Sequence, residues 1–344
     1  MNFLKQLERV HLQWFADVDL AGKVTLLDLA QETLPGGERF VQVAKILTKA
    51  VPPFQDAHWE EANQFTGDIF GRDAYLPNGE MRSINNGIDA TSGKTDQLTE
   101  PISLYEDRGI VDQELVLIAE KAKPGGGVEF RARKDDQHIR GGANWLGDKM
   151  LYATRAVATP NHINGFATRR ATIAGGNISN NGDASSNAVT SAYLLGWGPE
   201  KVCYLYPPGG KTDLVKEEDI GKQLVIGANS KQLLAYVTEF YYRYGIRVFD
   251  EAYLQRLCNI GTGAANHIDI NKLIELWHNL PDPDGSVLYV GKTGLIQLEQ
   301  EAKTAGEHIL RWVKLDSGGS VLMFKGITPV RKWLSIKDTE AVVA

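Results

Sequence analysis

Apolar residues in this chain recur with more than one period, and the changes of period divide it. Over the first fifty residues the spacing is loosely helical: Phe3, Leu4, Leu7, Val10 and Leu12, then the runs 25–30 (TLLDLA) and 39–47 (RFVQVAKIL), these two separated by the breaker Pro35-Gly36-Gly37. Each piece is short and amphipathic and cannot bury its apolar face alone. Residues 1–52 therefore read as an arm that needs another part of the protein, or another copy, to cover it. From 53 to 108 the periodicity gives way to a polar, turn-rich stretch. Within it Pro77-Asn78-Gly79 carries turn chemistry: proline presets one dihedral and Asn-Gly tolerates positive φ. Two extended arms meeting there predict a long hairpin projecting from the body, and long excursions of this kind are usually functional or interacting segments.

Beyond 109 the chain compacts. A break at Gly125–Gly127 leads into a helix predicted over about 130–154, with Ala143, Leu146, Met150 and Ala153 as its apolar stripe. Gly141 and Gly142 each cost about 1 kcal/mol relative to alanine in a helix and predict a bend or break there. After Asn164-Gly165-Phe166 helix and strand signals mix, and residues 175–187 read as a loop. Strands are predicted at Tyr193–Gly198, Val202–Tyr206 and Leu233–Phe249; in the last, Tyr236, Thr238, Phe240, Tyr242 and Tyr244 share one face by period two. A helix follows with Asp269 as N-cap, an Ile270/Leu273/Ile274/Trp277 stripe and a stop at Pro281. The remainder reads as a strand (286–292), a helix capped by Thr293, and closing strands at 320–325 and 327–336. No internal repeat is present.

Composition narrows the class. At 344 residues the chain exceeds the roughly 250–300 at which a single core stops growing, so two lobes or long excursions are expected. Its 43% hydrophobic and 23% charged residues exclude disorder over most of its length. A net charge of −6 gains nothing from the phosphate electrostatics that dominate nucleic-acid affinity. Cys203 and Cys258 cannot form a disulfide framework or a four-thiolate zinc site, and their apolar neighbours predict buried hydrophobes. No stretch approaches the roughly 18 apolar residues of a membrane span. The N-terminus lacks a signal peptide's apolar core, so a cytoplasmic protein is expected.

Several groupings suggest chemistry, and none fits it. Gly125–Gly127 before a helix resembles a phosphate cradle but lacks both GxxxxGK[ST] and GxGxxG. Asp135, Asp136 and His138 do not converge on a helix, because adjacent residues point about 100° apart. Asp269 beside His267 already has a capping role, and Ser185-Ser186 lacks the GxSxG elbow. His11, His58, His138, His162, His278 and His308 are scattered singly. We expect no catalytic residue, no metal and no cofactor.

The order of elements and certain strings resemble a known family. These are Thr25-Leu26-Leu27-Asp28-Leu29-Ala30, Met81-Arg82-Ser83-Ile84-Asn85, Asn164-Gly165-Phe166, Gly196-Trp197-Gly198-Pro199, Leu205-Tyr206-Pro207 and residues 241–248 (YYRYGIRV). Together, over about 25–262, they resemble major capsid proteins of tailed bacteriophages with the α+β Hong Kong 97-type fold. The resemblance implies an N-terminal arm (1–52), an extended loop (53–108) and a peripheral domain with a spine helix (109–170). It further implies an axial domain in two parts (171–231 and 263–325), connecting strands (232–262) and a closing strand with the C-terminus (326–344). It implies assembly of identical copies as hexamers and pentamers into an icosahedral shell in the host cytoplasm. That shell would enclose double-stranded DNA without sequence-specific binding. A separate scaffolding protein, a portal and possible decoration proteins would be its partners, with no membrane. Contacts between subunits are then expected from Arg72, Asp73, Tyr75, Glu80 and Arg82 near the hairpin tip, and from Trp14, Phe15 and Leu27 in the arm. Some relatives cross-link a loop lysine; Lys94, the sole hairpin lysine, reads as solvated. A cargo-enclosing nanocompartment of the same fold and a β-rich hydrolase are the alternative readings.

Overall fold

The run with period-two alternation at 233–249 is the central strand of one of the two sheets among the described residues. In the computed structural model it forms strand β8 (Gln232–Val248), with Thr238, Phe240, Tyr242 and Tyr244 buried on the face they were expected to share. The structure describes residues 47–182, 188–209, 215–226, 231–263, 266–303, 309–314 and 319–344. The arm segments before residue 47, with Trp14, Phe15 and Leu27, and the Ser185-Ser186 pair lie outside the described residues.

Seventeen residues at about 3.3 Å each give β8 a length of roughly 55 Å, enough to pair with several partners in series. Along one side runs β3 (Lys94–Asp112), antiparallel from Ile102↔Gly245 to Asp112↔Ala235. Along the other run β7 (Val215–Ile226) and then β6 (Val202–Tyr206). Short β1 (Trp59–Glu61) lies parallel to β6, and β2 (Gly67–Tyr75) pairs with the first half of β3. Residues 53–61 thus belong to the body, with Phe54 and Trp59 buried, and the strands that project begin only at Gly67.

Asp112 ends β3 and caps α2 (Gln113–Ala122), its carboxylate accepting from the Glu114 N–H at 2.9 Å. The predicted long helix is α3 (Gly126–Tyr152), and it starts four residues earlier than its stripe suggested. The break is confined to Gly125, whose φ of +78° suits glycine. Gly141-Gly142 does not break α3. A Cβ on Gly142 would lie 3.0 Å from the Tyr242 ring and 3.4 Å from that of Tyr105, so the position is a close approach of sheet to helix. Ala143, Leu146, Met150 and Ala153 are buried, as the stripe predicted.

Among the described residues the second sheet has the order β11-β12-β13-β10-β5-β9-β4. Its strands are β4 (Ile178–Asn180), β5 (Val189–Gly196), β9 (Leu254–Gly261), β10 (Ser286–Val290), β11 (Leu310–Lys314), β12 (Ser320–Phe324) and β13 (Thr328–Lys332). Strand β11 gave no clear signal, because Arg311 and Trp312 face solvent at a sheet edge. Helix α5 (Ile270–His278) is capped by Asp269 as expected. The next helix, α6 (Lys292–Glu301), is not capped by Thr293: Gly291 is its N-cap, and the Thr293 hydroxyl donates to Asp338 at 2.7 Å. The strand before it ends at Val290, which moves the helix start back, and the tail carboxylate supplies Thr293 with another acceptor.

One contiguous apolar core joins both sheets to α3, α5 and α6. At its centre the Trp197 indole N–H donates to the Tyr289 hydroxyl (2.9 Å), which donates to Asp56 (3.0 Å), itself paired with Arg331 at 3.3 Å. Burying the Trp197 indole N–H, the Tyr289 hydroxyl and the Asp56 carboxylate is tolerable because each finds a partner. Cys203 and Cys258 are free and buried, as their surroundings predicted.

Candidate assembly interface

Where β3 leaves β8, it continues with β2 as a two-stranded stem that projects from the body. Gly67 faces Pro101 at the base, and pairing ends at Tyr75↔Lys94 after an irregularity at Asp73/Tyr75. A lone hairpin is marginally stable in water, so the stem needs tethers, and arginine–carboxylate bridges provide them. Asp68 of β2 is buried against Arg247 (3.0 Å), which also engages Glu60. Glu100 of β3 is held by both Nη atoms of Arg169. Farther out, Arg72 meets Glu251 at 3.1 Å, and Arg170 grips the same carboxylate at 2.6 Å. Burial pushes the Glu251 carboxyl up, but Arg170 and Arg72 outweigh it and hold it below the ordinary glutamate value.

The expected tight turn at Pro77–Gly79 is not where the chain reverses. After Tyr75 the ladder pairing ends and residues 76–93 form an exposed loop, whose two arms stay in contact through Thr91 and Asn78. Its reversal lies at Ser83–Asn86, where the Asn86 N–H donates to Ser83 O and Asn85 takes a φ of 71°. The positive φ that Asn-Gly chemistry suggested for 78–79 is thus supplied by Asn85, and the Arg82 guanidinium closes the loop by donating to Asn86 O at 3.0 Å.

The hairpin residues singled out from sequence separate into two groups. Arg72 turns inward to Glu251, and Asp73 accepts from the Thr95 hydroxyl at 3.1 Å. Tyr75, Glu80 and Arg82 stand exposed at or beyond the end of the stem. Lys94 pairs with Asp96 at 3.0 Å and is exposed. Sequence reasoning passed over the loop's apolar side chains: Leu76, Met81, Ile84 and Ile88 are all exposed, Met81 and Ile84 almost completely. Their signal was isolated hydrophobes in an otherwise polar segment, where a solvated loop needs none. A second apolar surface lies on α2, whose Leu115, Leu117 and Ile118 face outward.

The groupings that suggested chemistry have structural roles. The N–H groups of Gly125 and Gly127, which resembled a phosphate cradle, both donate to the Glu120 carboxylate at 2.9 Å. Those two bonds hold Glu120 below the ordinary glutamate value, so the anion at this helix N-terminus is the protein's own. His138 contacts Asp107 at 2.8 Å and stacks on Phe240, joining α3 to the sheet. His267 contacts the carbonyl of Gly263 (3.0 Å). No group of three or more potential metal ligands occurs among the described residues, and no helix there is long and apolar enough to cross a membrane.

Among the described residues the molecule thus presents a paired β2–β3 stem, an exposed apolar loop beyond it and a long helix packed on a sheet. The family model for the major capsid protein GP7 matches residues 35–344. The chain belongs to that family. Its fold is the α+β Hong Kong 97 type. Among solved structures, a chain of bacteriophage Epsilon15 aligns with a TM-score of 0.58 at 23% identity, covering 84% of this chain and 88% of that one. The capsid of bacteriophage JBD30 aligns with a TM-score of 0.49 at 10% identity, covering 91% and 98%. No curated protein matches. This member of the GP7 family is a structural capsid component of the virion that assembles into multimeric shells, and it is not an enzyme. Family membership sets aside the hydrolase and nanocompartment readings.

Proposed function

We propose that this capsid protein assembles in the host cytoplasm as hexamers and pentamers of an icosahedral head, with the stem of each subunit laid over a neighbour. The observation that carries this is the loop 76–93, which projects beyond the tethered stem with Leu76, Met81, Ile84 and Ile88 uncovered. Clustered apolar groups held away from the body mark an interaction surface. A head-to-tail contact of this kind closes into rings when its rotation permits. In this reading Tyr75, Glu80 and Arg82 meet the neighbour directly, Arg72 and Asp73 set the stem's direction, and Trp14, Phe15 and Leu27 dock the arm. The division into arm, extended loop, peripheral and axial parts belongs to the same proposal. A separate scaffolding protein, a portal and decoration proteins would be partners. The acidic chain would enclose DNA without reading it.

Negative-stain electron microscopy with sedimentation, on the full chain alone and co-expressed with a scaffold gene from its neighbourhood, tests this. Closed shells, or rings of five or six, are the expected outcome. The paired change Met81→Ser with Ile84→Ser should abolish them and leave the subunit's unfolding midpoint unchanged. A persistent monomer in both preparations, or normal shells from the paired variant, would overturn the reading.

A further inference from the structure

The sequence contains four Asn-Gly pairs, at 78–79, 86–87, 164–165 and 181–182. In such pairs the glycine nitrogen is little hindered and can attack the preceding side-chain amide. The structure treats the four differently. Asn164 and Asn181 are locked: the Asn164 amide oxygen accepts from Arg155 N at 2.9 Å. The Asn181 amide donates to the carbonyls of Asn266 and His267 and accepts from Asp269 N. Their attacking nitrogens are engaged as well, Gly165 N with Ala153 O at 2.8 Å and Gly182 N with Asn180 Oδ1 at 3.2 Å. In the loop 76–93 the case is reversed. Asn78 and Asn86 are exposed, and the bonds they make use their backbone: Asn78 O with Thr91, Asn86 O with Arg82, Asn86 N with Ser83. A Cβ on Gly79 or Gly87 would meet nothing within 4 Å, so nothing packs against either glycine on that side.

We propose that Asn78 and Asn86 are sites of spontaneous deamidation that mark the age of the unassembled subunit. The Gly79 nitrogen, having lost its proton to solvent, attacks Asn78 Cγ. The bond from Cγ to the side-chain nitrogen breaks, and ammonia leaves with a proton from water. The resulting succinimide adds water at either carbonyl, and its ring C–N bond opens to aspartate or isoaspartate. One water is consumed and one ammonia released, with no oxidant or catalyst. Asn86 and Gly87 react in the same way. Each event places a new negative charge beside Glu80 or Asp89, and the isoaspartate branch inserts a methylene into the backbone flanking Met81 and Ile84. The loop that the proposed function lays on a neighbour is thereby altered in charge and path.

The full-length subunit, purified before assembly, is held in mildly alkaline buffer, digested and mapped by mass spectrometry with an isoaspartate-specific methylation assay. Peptides bearing Asn78 and Asn86 should convert while those bearing Asn164 and Asn181 stay intact. In denaturant all four should convert at similar rates. Gly79→Ala and Gly87→Ala, which the open space admits, should each slow their own site several-fold and leave the other unchanged. Amides at 78 and 86 that persist in the folded subunit while the denatured chain converts would overturn the proposal. So would conversion of 164 and 181 at the same pace as 78 and 86. The same map on assembled shells bears separately on the proposed function: slowing at 78 and 86 supports burial of the loop by a neighbour. An unchanged rate removes that burial and leaves the modification standing.

Discussion

Arg169 holds both carboxylate oxygens of Glu100, through Nη1 at 2.7 Å and Nη2 at 2.6 Å, with about a tenth of each side chain exposed. A bidentate pair fixes direction as well as distance. This one ties β3, at the point where it leaves the body, to the short helix Phe166–Arg169 that follows α3. Removing one partner of a buried pair leaves a charge without compensation, so Arg169→Ala should cost about 3 kcal/mol in urea unfolding. Glu100→Gln, which keeps one acceptor, should cost less. Hydrogen exchange should quicken in the stem and remain slow in β8. A loss under half a kcal/mol in Arg169→Ala would mean the stem is held by other contacts.

The outer tether responds to acid. Glu251 sits below its ordinary value of 4.5 in the folded protein because Arg170 and Arg72 face it. A group with a depressed folded pKa stabilises the fold above its unfolded value and loses that contribution as pH falls through the folded one. Wild type should therefore be more stable than Glu251→Gln at neutral pH. The gap should close on acidification below 4.5. Thermal midpoints of both proteins across that range provide the check, and a gap independent of pH would rule out the ionised bridge as its source.

Much of this architecture was legible because local pattern and tertiary burial agree. The faces of β8 and α3 follow from Phe240, Tyr242, Leu146 and Met150, whose spacing alone identifies the buried side. The errors occur where a distant segment decides. Thr293 looks like a cap until Asp338 arrives from the tail. Gly142 looks like a break until Tyr242 is seen across it. Pro77–Gly79 carries turn chemistry, but the strands' pairing stops at Tyr75 and leaves the loop free to turn at Asn85. The tethers were not legible at all, since Glu100 and Arg169, or Asp68 and Arg247, are far apart in the chain and resemble ordinary surface charges.

The adjacent glycines of α3 should respond in opposite directions. Gly141 faces open space, so Gly141→Ala gains helix propensity and should stabilise the subunit by about 1 kcal/mol. Gly142→Val would force its side chain into the Tyr242 and Tyr105 rings and should cost roughly 1–3 kcal/mol by overpacking. Denaturation midpoints of the two variants give the signs directly. Equal stabilisation by both would show that the sheet does not press on the helix at Gly142.

Neither thiol should react while the protein is folded. Burial first, with nearby Glu60 and Asp68, pushes the Cys203 thiol up to about 12, and burial also raises Cys258. The thiolate is the reactive form, and it is scarce at neutral pH for both. An aromatic disulfide reagent should find no thiol in the native subunit and both after denaturation. Rapid labelling of the native protein would mean that β6 or β9 opens locally.

Glu340 closes the C-terminal tail onto the end of α3 and the second sheet at once. Its Oε1 accepts from the Tyr152 hydroxyl at 2.5 Å, and its Oε2 accepts from Arg256 at 2.9 Å and from Ser191. Arg256 is almost fully buried and also donates to the carbonyls of Ala167 and Arg170. Burial favours its neutral form, but the groups around it outweigh that and keep the guanidinium charged. Glu340→Ala therefore leaves a buried cation facing no anion, and should cost roughly 3–5 kcal/mol. Arg256→Met alone should cost a similar amount, because Glu340 is then buried without its partner. The two costs should not add. With both charges gone no uncompensated ion remains, so Arg256→Met with Glu340→Leu should be less destabilised than the sum of the single changes. The deficit that remains should reflect the carbonyls of Ala167 and Arg170 left without a donor. A double-mutant cycle by chemical denaturation measures this coupling, and strictly additive losses would mean that Glu340 and Arg256 do not act as a pair.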